Sequence, residues 1–349
     1  MQIDFGGGSE ISFERKGKAG LVKLTRPSAL NALTHQMILA LDRALQAWED
    51  DADIRCVIVE GEGRSFCAGG DVVAAYKAKQ TGAPAYQFFR DEYRLNASIG
   101  RFPKPYISLM NGIVMGGGAG ISVHGSHRIV TENTLFAMPE TGIGFFPDVG
   151  GSAFLPHLHD HFGFYLALTG NRIRWGDCLQ SGIATHAIAS EDLDNLREDI
   201  VTTGDIDAAL TNSQYPDFET AVETRQLIAE CFAAETLDDC LQALEKAATG
   251  GSKPARDIYN VIATRSPTSV AVTFRQIEEG RALDLDDCMR MEYRIANRML
   301  ENHDFYEGVR AALIDKDAAP SWQPVSLDLI KREQVDAYFA HLGDKELTF

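Results

Sequence analysis

No two of the six cysteines (Cys56, Cys67, Cys178, Cys231, Cys240 and Cys288) stand in CxxC spacing. Neither a disulfide framework nor a zinc site is predicted, and a reducing compartment fits. Positive charge is also scarce: 33 lysines and arginines face 50 aspartates and glutamates, a formal net charge of −17. That sign repels nucleic-acid phosphates and anionic membrane surfaces at long range, so neither is expected as a partner. The opening MQIDFGGGSE has neither the basic-then-apolar pattern of a secretory signal nor the Arg-rich, acid-poor composition of a mitochondrial presequence. A cytoplasmic location is therefore expected. Low-complexity tracts are missing, and 45% hydrophobic with 24% charged residues is ordinary globular usage. The one long uncharged run, Pro105 to Val123, carries Pro105, Asn111 and five glycines. Each glycine costs about 1 kcal/mol in a helix interior, so no membrane span is expected there.

The chain has 349 residues, enough at roughly 150 per domain for two domains, or for one with an appended lobe. GLVKLTRP reads as a strand ending at Pro27, and Thr34 is placed to cap a helix whose Met37, Ile38, Leu41, Ala44, Leu45 and Trp48 share one side. CVIVEGEG is a second strand, followed by a long polar stretch with aromatics up to Lys104, and PYISLMNGIVM reads as one buried strand. HRIVTENTLFAMPE is strand-like and HFGFYLALTG helical. Strands alternating with helices predict an α/β core over residues 1–205. From 206 to 349 the apolar spacing is helical throughout. Apolar surface on those helices serves either the core or contacts between copies of the chain, so a homo-oligomer is compatible with it.

Several familiar chemistries are missing. MGGGAG (Met115 to Gly120) lacks the Lys-Ser/Thr of a P-loop, and no serine sits in a GxSxG elbow. His157, His159 and His161 alternate where the flanking sequence leads into a helix, a spacing that suits a surface cluster better than a metal site. Cys67 adjoins a glycine cluster, yet a buried, small apolar role outweighs that of nucleophile. What remains is CAGGD (Cys67 to Asp71) and MGGGAG, each following a strand. Such clusters supply either free backbone amides for an oxyanion hole or tight packing that needs no Cβ. In MPETGIGFFPDVGG two acids, Glu140 and Asp148, stand among apolar residues with no neighbouring base. Each is either a carboxyl raised by desolvation toward use as a base, or a cap or turn residue.

Taken in order, RPSALNAL, FCAGGDV, NGIVMGGGAG and FAMPETGIGFFPDVGG resemble the crotonase (enoyl-CoA hydratase/isomerase) superfamily, most closely its 3-hydroxyisobutyryl-CoA hydrolase branch. The resemblance extends through RDEYRLN, SVHGSHRIVTE, RSPTSVAVT and DFYEGVRAALIDKDAAPSWQP, nearly the whole chain. It implies a crotonase-like spiral of ββα units, with the helical C-terminal region completing the site. It implies an acyl-CoA substrate of valine breakdown and no metal or redox cofactor. By position, the amides of Gly70 and Gly117 are the implied oxyanion donors. The hydratases carry a first catalytic glutamate where this chain has Gly120, which puts hydration in doubt. Glu140 matches their second glutamate, and Asp148 replaces a hydratase glycine as in the hydrolases. There the glutamate attacks the thioester or activates water, and the aspartate holds the 3-hydroxyl. Glu92 aligns with a further acid of the pocket. Ala29, Ala68, Gly69, Asp71 and Gly116 are the implied substrate-binding backbone, with Arg26, Lys23 and Lys316 as candidates for the CoA phosphates.

Overall fold

The computed structural model describes residues 1–81 and 86–349. The chain forms two compact units built from interleaved segments: Met1–Asp71, Asp91–Phe136 and Ile173–Glu219 in one, Val72–Arg90, Ala137–Arg172 and Thr220–Phe349 in the other. The sequence reading instead divides the chain after residue 205. After strand His186–Ala187 every named element is helical, which agrees with the helical periodicity read there.

The first unit is built on a seven-stranded sheet in the order Gln2–Ile3, Ile11–Lys16, Ala19–Leu24, Cys56–Gly61, Tyr106–Met110, His127–Val130 and His186–Ala187. The first three strands pair antiparallel and the rest parallel. Parallel pairing demands crossovers, and cover on both faces makes these strands continuously apolar, as in YISLM. Helix His35–Glu49 supplies part of that cover. Thr34 caps it, accepting from the Met37 amide at 3.3 Å. The predicted apolar side is buried, each large side chain contributing about 1.5–3 kcal/mol relative to exposure.

A three-stranded sheet of Ser65–Cys67, Ile113–Met115 and Leu135–Ala137 gives the spiral its second face. Three times in succession a strand of the large sheet is followed directly by a strand of the small one: Cys56–Gly61 by Ser65–Cys67, Tyr106–Met110 by Ile113–Met115, His127–Val130 by Leu135–Ala137. This is the ββα repeat the resemblance implies. It also corrects the reading of PYISLMNGIVM as one strand, because the chain turns at Asn111–Gly112 and changes sheet. The polar stretch before Lys104, given no secondary structure by the sequence, holds helices Val72–Thr81 and Tyr86–Arg101. The charges Arg90, Asp91, Glu92 and Arg94 mask the helical spacing of Phe89, Tyr93 and Ala97, all buried.

The second unit is helical. Helix Phe162–Thr169 is buried on every side and packs with helix Pro267–Gly280. Phe89, Phe146 and Phe305 gather around Phe145 at ring separations of 5.3, 4.7 and 5.3 Å. Among the described residues, no helix is long and apolar enough to cross a membrane.

Candidate active site

The first unit presents two glycine-bearing strand ends side by side. In RPSALNAL the turn after Pro27 takes Leu30 and Asn31 into left-handed backbone, at φ 52° and 57°. Asparagine tolerates that region, and here its side chain completes the turn. Asn31 Nδ2 donates to the carbonyls of Glu62 at 2.9 Å and Ser65 at 2.8 Å, while Oδ1 accepts from the Arg26 amide at 2.9 Å. The turn is thus stapled to strand Ser65–Cys67 and pairs with CAGGD: Ala68 N donates to Leu30 O at 3.0 Å, Leu33 N to Gly69 O at 2.8 Å, and Asp71 N to Leu33 O at 2.9 Å. Asn31 is a site-building residue that the sequence reading missed, although an asparagine in a proline turn is the signal for it.

That pairing leaves the Gly70 N–H over. The Gly117 N–H is also over, because it opens the helical turn Gly117–Gly120. Among the described residues neither donates to another protein group. A Cβ built on Gly117 would stand 3.0 Å from the Gly70 nitrogen and 2.6 Å from Glu92 Oε1, so Gly117 lies close against Gly70 and the buried Glu92 with no room for a side chain between them. The neighbouring glycine has a different purpose: a Cβ on Gly118 would meet Cys67 O at 2.1 Å. Tight packing is thus seen at Gly118, while the adjacent Gly117 keeps an N–H without a protein partner among the described residues. Gly116 enters the turn at φ 48° and Gly69 its own at φ 120°. Gly120, where the hydratases carry a carboxylate, is buried and offers no side-chain base.

Cys67 is fully buried, and desolvation pushes its thiol up to about 12. A thiol held protonated is no nucleophile. Cys67→Ala is expected to keep the acyl-CoA reaction implied by the resemblance within about threefold of wild type, and a folded variant without turnover would reinstate the cysteine. Arg26, read as a phosphate ligand, is engaged within the fold: Nε lies 3.0 Å from Glu10, and its two terminal nitrogens donate to Asp71 and Ala32 O, each at 2.9 Å. Asp71 is thus tied to Arg26. The N–H groups of Ala29, Ala68 and Asp71 are used within the turn. Lys23 lies 4.0 Å from Glu60, whereas Lys316 is exposed at φ 57°.

The second unit carries the candidate carboxyl groups Glu140 and Asp148. Glu140 opens the 3-10 turn Glu140–Ile143, three residues beyond strand Leu135–Ala137. It is 6% exposed, and among the described residues its Oε2 is buried with no hydrogen-bond partner. Burial first, and then the charge of Asp148, push this carboxyl well above the usual carboxylate range. That is the shift a base working near neutrality needs. Asp148 is 5% exposed. A third acid, Glu292 on helix Leu285–Met299, is fully buried and bonded to the backbone just after Asp148. Desolvation pushes it up to about 8, against the hydrogen bonds from Ser152 and Gly150. It sits on a long helix with ordinary amphipathic spacing, so nothing in the sequence singles it out. His157 and His159 are exposed on 3-10 turns, and His161 Nδ1 lies 3.3 Å from the Arg281 guanidinium, an unfavourable neighbour for a cation site.

Comparison with known proteins adds the family. The profile of the enoyl-CoA hydratase/isomerase family matches residues 19–339. A 3-hydroxyisobutyryl-CoA hydrolase, mitochondrial, from Danio rerio is 45% identical, covering 97% of this chain and 92% of the relative. The protein of the same name from Homo sapiens is 42% identical over 97% and 91%. These names set a mitochondrial label against the cytoplasmic expectation. The solved structure of a carnitinyl-CoA dehydratase from Mycobacterium thermoresistibile is 42% identical with a TM-score of 0.92, covering 98% of this chain and 99% of that one. An enoyl-CoA hydratase from Rhodobacter sphaeroides 2.4.1 is 34% identical with a TM-score of 0.88, covering 98% and 100%. The chain belongs to the enoyl-CoA hydratase/isomerase family and has the crotonase fold.

Proposed function

We propose that the protein hydrolyses 3-hydroxyisobutyryl-CoA, and related short 3-hydroxyacyl thioesters, to the free hydroxy acid and coenzyme A, as valine breakdown requires. The observation that carries this reading is identity of 41–45% with named 3-hydroxyisobutyryl-CoA hydrolases over 95–98% of the chain. Gly120 supports it further, since syn addition of water to an enoyl group in the hydratase manner uses two carboxylates and that position offers none.

The roles follow from the chemistry of each group. Glu140 takes a proton from water as the water oxygen bonds to the thioester carbonyl carbon. The negative charge that forms on the carbonyl oxygen is met by the Gly70 and Gly117 N–H groups, each such donor being worth about 2.7–4 kcal/mol of barrier. Collapse breaks the C–S bond, and the departing thiolate takes the proton back from Glu140. Asp148 holds the 3-hydroxyl, and Glu92 lines the acyl pocket beside Gly117. No metal or redox group enters these steps.

The test is thiol release from 3-hydroxyisobutyryl-CoA and 3-hydroxypropionyl-CoA, beside acetyl-CoA and crotonyl-CoA. Fast release confined to the 3-hydroxyacyl substrates is expected, with the enoyl absorbance of crotonyl-CoA unchanged. Loss of enoyl absorbance without thiol release would instead make the enzyme a hydratase.

A further inference from the structure

The proposed chemistry uses Glu140 and Asp148, but the second unit also buries the carboxyl group of Glu292 completely. Glu292 Oε2 accepts from the Gly150 N–H at 2.7 Å, and Oε1 accepts from the Ser152 N–H at 2.9 Å and from the Ser152 hydroxyl. These bonds hold the turn that follows Asp148 directly. The chain makes that turn with Val149 at φ 52° and Gly150 at φ 85°. For a β-branched residue such backbone is an outlier costing about 1–3 kcal/mol, and it persists only where its surroundings over-determine it. Gly151 N closes the turn on Asp148 O at 2.8 Å. On the other flank Gln276, from helix Pro267–Gly280, donates to Pro147 O at 2.6 Å. Two polar side chains from different helices therefore grip the backbone on either side of Asp148.

We propose that Glu292 is a positioning residue: by locking the Val149–Gly150 turn it fixes the Asp148 carboxylate for the 3-hydroxyl of the substrate. The inference rests on the function proposed above, which gives Asp148 that role. A buried carboxyl is a costly way to fill space, and an apolar side chain of the same volume would pack there without that penalty. What the carboxyl adds is directional: two fixed oxygens that accept from three donors on one short stretch of chain.

The experiment compares Glu292→Gln, which keeps the volume and loses one acceptor, with wild type and Asp148→Asn. The readout is kcat/KM for 3-hydroxyisobutyryl-CoA divided by that for isobutyryl-CoA, which lacks the hydroxyl. Glu292→Gln should lower this ratio at least about tenfold, and the double variant should discriminate no worse than Asp148→Asn alone. A group that serves only the fold would lower both substrates together, so an unchanged ratio overturns the proposal. Should Glu292→Gln not fold, Ser152→Ala, which removes only the hydroxyl bond, decides the matter: a ratio lowered about threefold supports the clamp, and an unchanged one removes it. If wild type shows no preference for the 3-hydroxy substrate, the functional reading fails by itself. Hydrogen exchange of the Gly150 and Ser152 amides then judges Glu292, with faster exchange in Glu292→Gln upholding the clamp and unchanged exchange dismissing it.

Discussion

Glu140→Gln is expected to lose at least about 10²-fold in kcat with KM close to wild type, because the amide fills the same space but accepts no proton. The raised pKa of Glu140 adds two signatures that separate this loss from unfolding. In wild type, kcat should rise with pH through the raised value, as the base becomes free to accept a proton, and then level off. Stability should move the other way. A carboxyl whose pKa is raised by folding holds a proton in the folded state that the unfolded chain has already released, so stability declines as pH climbs from the unfolded value through the folded one. Glu140→Gln removes that decline, and at alkaline pH the variant should melt no lower than wild type while its rate collapses. Matched pH series of kcat and of thermal melting measure both; retained turnover would sink the assignment of Glu140 as base.

Gly117→Pro should be nearly as damaging, at about 10²- to 10³-fold in kcat/KM, because it deletes a donor that no side-chain substitution can reach. Gly117 is the first residue of its helical turn and its N–H makes no bond to the protein among the described residues. Proline is tolerated at such a position, so folding should survive. Proline also brings a Cβ, which would stand 2.6 Å from Glu92 Oε1 and 3.0 Å from Gly70 N. Gly117→Ala brings the same atom but keeps the N–H, and the further loss in the proline variant over alanine isolates the donor. A folded Gly117→Pro with near-wild-type turnover would refute the oxyanion role.

Much of this was open to reading in the sequence, and for identifiable reasons. The helix after Thr34 announces itself because one cap and one apolar side suffice to specify it. Glu140 and Asp148 attract attention because two acids among glycine and phenylalanine have no neighbouring base, although a cap or turn role would explain either one alone. The break at Asn111–Gly112 does not show, because both strands are apolar and a change of sheet leaves no trace in hydropathy. Helix Tyr86–Arg101 is hidden by its own charges. Arg26 looks like a free cation until the fold brings Glu10 and Asp71 to it, and Glu292 looks like any acid on an amphipathic helix. Such roles depend on partners remote in sequence, which local spacing does not record.

The short strands Ser65–Cys67, Ile113–Met115 and Leu135–Ala137 lead within three residues to Gly70, Gly117 and Glu140 respectively. In the proposed chemistry two of these three contribute through the main chain, and the main chain is the part of a protein that point mutation leaves almost untouched. Any residue but proline brings an N–H to those places, and at Gly117 only the nearness of Glu92 Oε1 and Gly70 N restricts the side chain. The carboxyl positions are inherited differently, since a single codon change at 120 or 140 adds or removes a carboxyl group, and one at 148 the group proposed to hold the 3-hydroxyl. On the function proposed above, a lineage built on this spiral can therefore exchange one reaction for another at a few codons while the means of polarising a thioester passes on intact.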